Sequence, residues 1–133
     1  MKTRAKSDRV MAALGLIQSG ACWQASTGNW MVKSQSNARL TYVTGIKHGA
    51  VFCSCKDFEL HGRPCKHSLA ALAPVAVAFI LQCRWLTEPE ELEIVADVYA
   101  ERLRELPEVF RAIARAEYKA AYERLNASAA LAA

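Results

Sequence analysis

Long apolar runs and phosphate-binding glycine loops are both missing from this chain of 133 residues. The longest apolar run, residues 69–81, has thirteen positions and includes a proline, whereas a helix needs about twenty apolar residues to cross a bilayer. The run therefore predicts a buried helix and no membrane partner. The six glycines form no phosphate-binding motif, and the chain shows neither an internal repeat nor a low-complexity linker.

Acidic residues are scarce over residues 1–87, where eleven Lys or Arg stand against three Asp or Glu, a net charge of +8. Residues 88–133 carry six basic and ten acidic side chains, a net charge of −4. A basic region is typical of nucleic-acid binding, because Lys and Arg that contact phosphates release counterions. With so few carboxylates in the basic region, no convergent catalytic site emerges, so we predict a protein that is not an enzyme and has no small-molecule substrate.

Three thiols and an imidazole lie in the stretch CSCKDFELHGRPCKH. They belong to Cys53, Cys55, Cys65 and His67. A closed structural zinc site uses these donors in a tetrahedron and leaves no position for a substrate. We therefore predict one structural Zn²⁺. Two alternatives stay open: the cysteines could be small buried side chains without a metal, and His61, inside the gap, could take the place of His67.

The spacing of these residues predicts their local structure. In a strand, residues i and i+2 face the same side, so Cys53 and Cys55 can both face one ion at the end of the run AVFC. Two steps along a helix rotate a side chain by roughly 200°. Cys65 is therefore expected at or just before the start of a helix that carries His67, and Pro64 suits such a junction.

The five cysteines are an odd number, and the Lys- and Arg-bearing start of the chain does not have the form of a secretory signal. A disulfide framework is therefore not expected. We predict reduced thiols and an intracellular, cytoplasmic location. Cys22 and Cys83 are expected to be thiols of the core.

The pattern of apolar residues predicts an α+β fold. We expect a small β-hairpin or three-strand zinc-finger core, with strands near residues 30–32, 40–43 and 50–53, preceded by a helix and followed by a helical extension. The predicted divisions are residues 1–28 for the N-terminal helix and connection, 29–86 for the zinc-binding core, and 87–133 for the C-terminal helical extension.

Several residues mark the expected helix boundaries. Ser7 and Asp8 are candidate caps of the first helix. Pro74 should kink or break the helix that follows the zinc ligands. Thr87 and Glu90 have the spacing of a capping box, and Pro107 is expected to start the last helix.

The motifs CSCKDF and GRPCKHSLAAL, preceded by WMVKSQ and LTYVTG, resemble the SWIM zinc finger, whose pattern is CxC, a variable gap, and CxH. The resemblance covers roughly residues 29–75. It implies a β-hairpin and a helix around one zinc ion, in proteins that bind DNA or other proteins, such as transposase-related factors and recombinase accessory proteins. It implies no catalytic activity.

The leading functional hypothesis is a zinc-dependent module that binds nucleic acid, with DNA as the preferred partner. The predicted phosphate contacts around the zinc core are Lys33, Arg39, Lys47, Lys56, Arg63 and Lys66. Trp23, Trp30, Tyr42 and Phe58 are candidates for stacking on bases, with a role in the core as the alternative. The second hypothesis is a protein adaptor that acts through its C-terminal helices, for example in a recombinase or transposition complex.

Overall fold

The computed structural model describes residues 8–37 and 39–132. These residues form an α+β fold of six helices and one four-stranded antiparallel sheet, so the predicted fold class is confirmed. The elements in chain order are α1 (Arg9–Gln18), β1 (Cys22–Gln24), β2 (Trp30–Lys33), β3 (Thr41–Lys47), β4 (Ala50–Cys53), α2 (Lys56–His61), α3 (Lys66–Leu72), α4 (Pro74–Trp85), α5 (Pro89–Arg104) and α6 (Glu108–Ala132).

The sheet is a simple meander in the order β1-β2-β3-β4. The sequence predicted three strands and missed β1, a strand of only three residues. Such a short segment has no readable alternation of its own. Its place in the sheet comes from pairing with β2, where Trp23 lies opposite Met31.

The two faces of the sheet differ in burial. Val32 and Thr44, on the inner face, are completely buried. The helix α3 packs on this side of the sheet, and α1 packs against α3 through the same buried core. The Thr44 hydroxyl donates a hydrogen bond of 2.7 Å to the Phe52 carbonyl, so this buried polar group is satisfied.

The helix boundaries follow the predicted signals with one exception. Asp8 caps α1 by accepting a 3.1 Å hydrogen bond from the Met11 amide, whereas Ser7 lies outside the described residues. The break at Pro74 is confirmed, because α3 ends at Leu72 and α4 begins at the proline. The predicted capping box at Thr87 was wrong. Glu88 occupies the N-cap without a side-chain hydrogen bond, since the following Pro89 suits the first helical position.

Contacts between residues divide the chain into two units, residues 1–77 and 78–133, with the boundary inside α4. In the second unit α5 packs against α6, and Phe110 is completely buried. Arg84 and Glu117 form an ion pair of 2.7 Å within this unit. Cys83 is buried, as predicted, while Cys22 in the first unit is half-buried.

Within the described ranges, no single helix is long and apolar enough to cross a membrane. Only α3 and α4 taken together reach the necessary length and composition, and a bend separates them.

Candidate metal centre

The four predicted ligands converge in the structure. One donor atom from each of Cys53, Cys55, Cys65 and His67 lies within 4.8 Å of the other three, and all four residues are buried. The His67 Nδ1 atom is 3.9 Å from the Cys53 sulfur and 3.8 Å from the Cys65 sulfur. The sequence separates these residues by up to fourteen positions, so the fold has brought them together.

These distances fit a zinc ion. With Zn–S near 2.3 Å and Zn–N near 2.0 Å, a tetrahedron places its donors about 3.6–3.8 Å apart. The spacing around His67 is within a few tenths of an ångström of that range. Three sulfurs and one nitrogen fill all four positions, so the group suits one structural zinc ion, which would stabilise the fold and leave no site for a substrate.

The first pair of ligands lies where a strand passes into a helix. Cys53 is the last residue of β4, and it lies opposite Thr44 of β3. Cys55 is the N-cap of α2, and its sulfur accepts a hydrogen bond of 3.4 Å from the Phe58 amide. The helix α2 was not predicted, because residues 56–61 belong to the gap between the two pairs of ligands. The left-handed Gly62, with φ of 63°, ends this helix and turns the chain back toward the second pair of ligands.

The second pair occupies the start of a helix, as the spacing predicted. Cys65 is the N-cap of α3 and His67 lies in its first turn. The Ser68 hydroxyl accepts a 3.0 Å hydrogen bond from the Cys65 amide and donates one of 3.0 Å to the Cys65 carbonyl. The same oxygen lies 3.7 Å from the Cys65 sulfur. Ser68 therefore holds the backbone and the ligand atom in place together.

The surroundings set the proton affinity of the three thiols. Hydrogen bonding, above all with Cys53 and also with His67 and Ser68, lowers the pKa of the Cys65 thiol to about 3. The same interaction, together with burial, raises the pKa of Cys53. Burial raises the pKa of Cys55. Cys53 and Cys55 therefore hold their protons without a metal, and Zn²⁺ binding would release these protons, since the ligand form is the thiolate.

Aromatic and charged side chains surround the four ligands. The Tyr42 ring lies 4.4 Å from the His67 ring, and Tyr42 and Phe58 pack against the three sulfurs. Asp57 accepts two hydrogen bonds of 2.9 Å from the Arg9 guanidinium, which connects α1 with α2. This pair joins residues 48 positions apart and was not predicted from the sequence.

His61 is not in the cluster. Its Nδ1 atom lies 2.9 Å from the Asp57 carboxylate, and the residue is exposed. The structure thus places His67, and not His61, beside the three thiols.

The six predicted nucleic-acid contacts lie on different elements of the fold. Lys33 and Lys47 end strands of the sheet, and Arg39 lies in the turn between β2 and β3. The other three lie around the metal ligands. Lys56 and Lys66 begin α2 and α3, and Arg63 lies in the turn between these helices. All are exposed except Lys66, which is half-buried and donates a 2.9 Å hydrogen bond to Gln35.

The geometry defines the class of this centre, and the segment around it matches a known zinc finger. A buried Cys₃His group at a strand-to-helix junction defines a structural zinc finger. Residues 47–73 match the SWIM zinc finger, so the resemblance predicted from the motifs is confirmed over this segment. Searches of curated proteins and of solved structures gave no match.

Proposed function

We propose that this protein is a zinc-dependent module that binds nucleic acid, with DNA as the first partner to test. The observation that carries the proposal is the uncompensated positive charge of the zinc-binding unit. Residues 1–77 contain ten Lys or Arg and three Asp or Glu, a net charge of +7. Lys and Arg on such a surface supply phosphate contacts and steer the association.

The few carboxylates of this unit already have partners. Asp57 pairs with Arg9, Glu59 lies 3.7 Å from the Lys56 ammonium, and Asp8 caps α1. In contrast, Lys33, Arg39, Lys47 and Arg63 form no ion pair with any residue in the ranges 8–37 and 39–132. Their charges are therefore available to phosphate groups.

The first experiment is a binding titration of the zinc-loaded protein with single-stranded DNA, double-stranded DNA and RNA, from low to physiological salt. Binding that weakens steeply as salt rises is expected, because each phosphate contact releases a counterion. The double variant Arg39→Glu with Lys47→Glu should bind more weakly and show a shallower salt dependence at unchanged zinc content. Lys119→Glu is the matched control, since this exposed residue of α6 belongs to the acidic unit. Absence of binding at low salt would refute the proposal.

A protein adaptor is the second candidate function, and the surface of α5 favours it. Ile94 and Val98 lie one helical turn apart and are 62% and 61% exposed, whereas Leu92 and Val95 of the same helix are buried. An exposed apolar pair of this kind suits a protein partner. In this case Ile94→Asp should abolish binding to a purified recombinase or transposition factor, and the Arg39 and Lys47 reversals should leave that binding intact.

A further inference from the structure

The outer face of the sheet in the zinc-binding unit is formed by Trp23, Met31, Val43, Gly45 and Phe52. The strand register places Trp23, Met31 and Val43 in one row across β1, β2 and β3. The next row pairs Gly45 with Phe52. Because side chains alternate along a strand, these residues point away from the buried Val32 and Thr44.

The outer face presents aromatic and apolar groups to solvent. Trp23 is 46% exposed, and Met31, Val43 and Phe52 are half-buried. A Cβ atom added at Gly45 would lie 2.6 Å from the Asn29 side-chain oxygen and 3.1 Å from the Phe52 ring. The glycine thus lets both side chains lie against the sheet. Beside them, a depression of about 570 Å³ is lined by Asn29, Ile46, Lys47 and Phe52.

Charge on this face has one sign. Lys33 and Lys47 share the outer face, and Thr41, the partner of Lys33, lies six positions before Lys47 along β3. At a rise of about 3.3 Å per residue, the two lysines stand roughly 20 Å apart, one on each side of the two apolar rows. Between Asp8 and Asp57 the sequence contains no acidic residue, so no carboxylate of the sheet opposes them.

We infer that the outer face binds single-stranded nucleic acid. Trp23 and Phe52 stack on unpaired bases, and Lys33 and Lys47 contact the sugar–phosphate backbone of the strand. This inference rests on the proposed function and deepens it. Unpaired bases can stack on aromatic rings, whereas the bases of a duplex already stack on one another. A protein partner fits less well, because Lys is depleted at protein interfaces.

The four aromatic residues that were predicted as candidates for stacking lie in different parts of the zinc-binding unit. Trp30 lines a small cavity on the inner side with Leu16 and Ala70. Tyr42 and Phe58 pack on the metal ligands. Only Trp23 of the four lies on the outer face, and Phe52, which was not named, lies there with it.

The test measures the affinity of the zinc-loaded full chain for oligothymidine, oligouridine and a DNA duplex. Trp23→Ala should weaken binding to the single strands by about tenfold or more, the usual effect of losing one stacked base. The salt dependence should not change, because tryptophan carries no charge. Trp23→Leu, which keeps an apolar side chain in β1, should show the same loss, and Phe52→Leu a smaller one. Trp85→Ala is the matched control, because Trp85 is 64% exposed but lies in α4.

The outcomes separate this inference from the proposed function. If the charge reversals weaken single-strand binding but both Trp23 variants, folded and zinc-loaded, bind as wild type, the stacking surface is wrong and the basic module stands. If the duplex binds more tightly than either oligonucleotide, the single-strand assignment is overturned. If none of the three nucleic acids binds at low salt, both ideas fail.

Discussion

The Arg9 guanidinium and the Asp57 carboxylate form two parallel hydrogen bonds of 2.9 Å, which connect α1 to the short helix that follows Cys55. The pair lowers the pKa of Asp57 to about 2, with His61 adding to the effect. Asp57 belongs to the CxCxDF segment of the finger, so this contact fixes the N-terminal helix to the metal centre.

Replacing Asp57 by Asn should therefore lower the free energy of unfolding by about 1 kcal/mol, the upper end of the range for partly exposed ion pairs. The measurement is urea unfolding of the zinc-loaded protein at neutral pH. Glu59→Gln is the control, because it removes the far more exposed pair with Lys56 and should change stability little. Equal changes in the unfolding free energy for the two substitutions would show that the Arg9–Asp57 pair stabilises the fold no more than the exposed Lys56–Glu59 pair.

Removal of a metal ligand should abolish cooperative folding of the zinc-binding unit. Zinc binding in finger peptides supplies about 10–16 kcal/mol of folding free energy, more than the stability of most domains. His67→Ala should thus lose both its zinc and its sharp thermal transition, and a strong chelator should do the same to the wild type. His61→Ala, a change in α2 outside the metal cluster, should keep both the zinc and the sharp thermal transition. A His67→Ala protein that still holds stoichiometric zinc would refute the ligand assignment.

The Ser68 hydroxyl should matter for metal affinity although it is not a ligand. It is completely buried and holds the Cys65 backbone through two hydrogen bonds of 3.0 Å. Losing such support for a ligand commonly lowers metal affinity by about 10- to 100-fold. Ser68→Ala should show this loss in a competition titration with a chromophoric chelator. Ser36→Ala, an exposed serine in the turn after β2, should bind zinc as the wild type does, and equal affinities of the two variants would contradict the role of Ser68.

Alkaline pH should destabilise the protein through Cys83. Burial, with a contribution from Glu117, raises the pKa of this thiol from 9.0 to about 11. The folded state therefore keeps the proton longer than the unfolded state, so the stabilisation is complete below pH 9 and is lost as the pH rises toward 11. By pH 10.5 the loss should reach about 1–2 kcal/mol.

The measurement for Cys83 compares the change in unfolding free energy between pH 8 and pH 10.5 in the wild type and in Cys83→Ala. Other groups titrate equally in both proteins, so the difference between the two changes isolates Cys83. Parallel pH profiles would contradict the predicted effect.

Much of the metal centre could be predicted from local spacing. A period of two in a strand and a turn of 3.6 residues in a helix decide how neighbouring ligands can share an ion. This is why the strand end at Cys53 and the helix start at Cys65 were predicted. The helix α2 was missed, because six residues inside a gap carry too little periodic signal and the cap is a cysteine sulfur, an uncommon N-cap group.

The sequence by itself determined the three candidate thiolate ligands, the α+β class and the division of charge, since these depend on residue types and short-range periodicity. Only the tertiary structure decided which groups meet across the fold. It paired Arg9 with Asp57 and placed the Ser68 hydroxyl where it hydrogen-bonds the Cys65 amide. It also placed His67, and not His61, beside the thiols. It also turned Trp23 and Phe52 to one face of the sheet. Contacts between distant residues depend on how strands and helices pack together, and that packing leaves no local trace in the sequence.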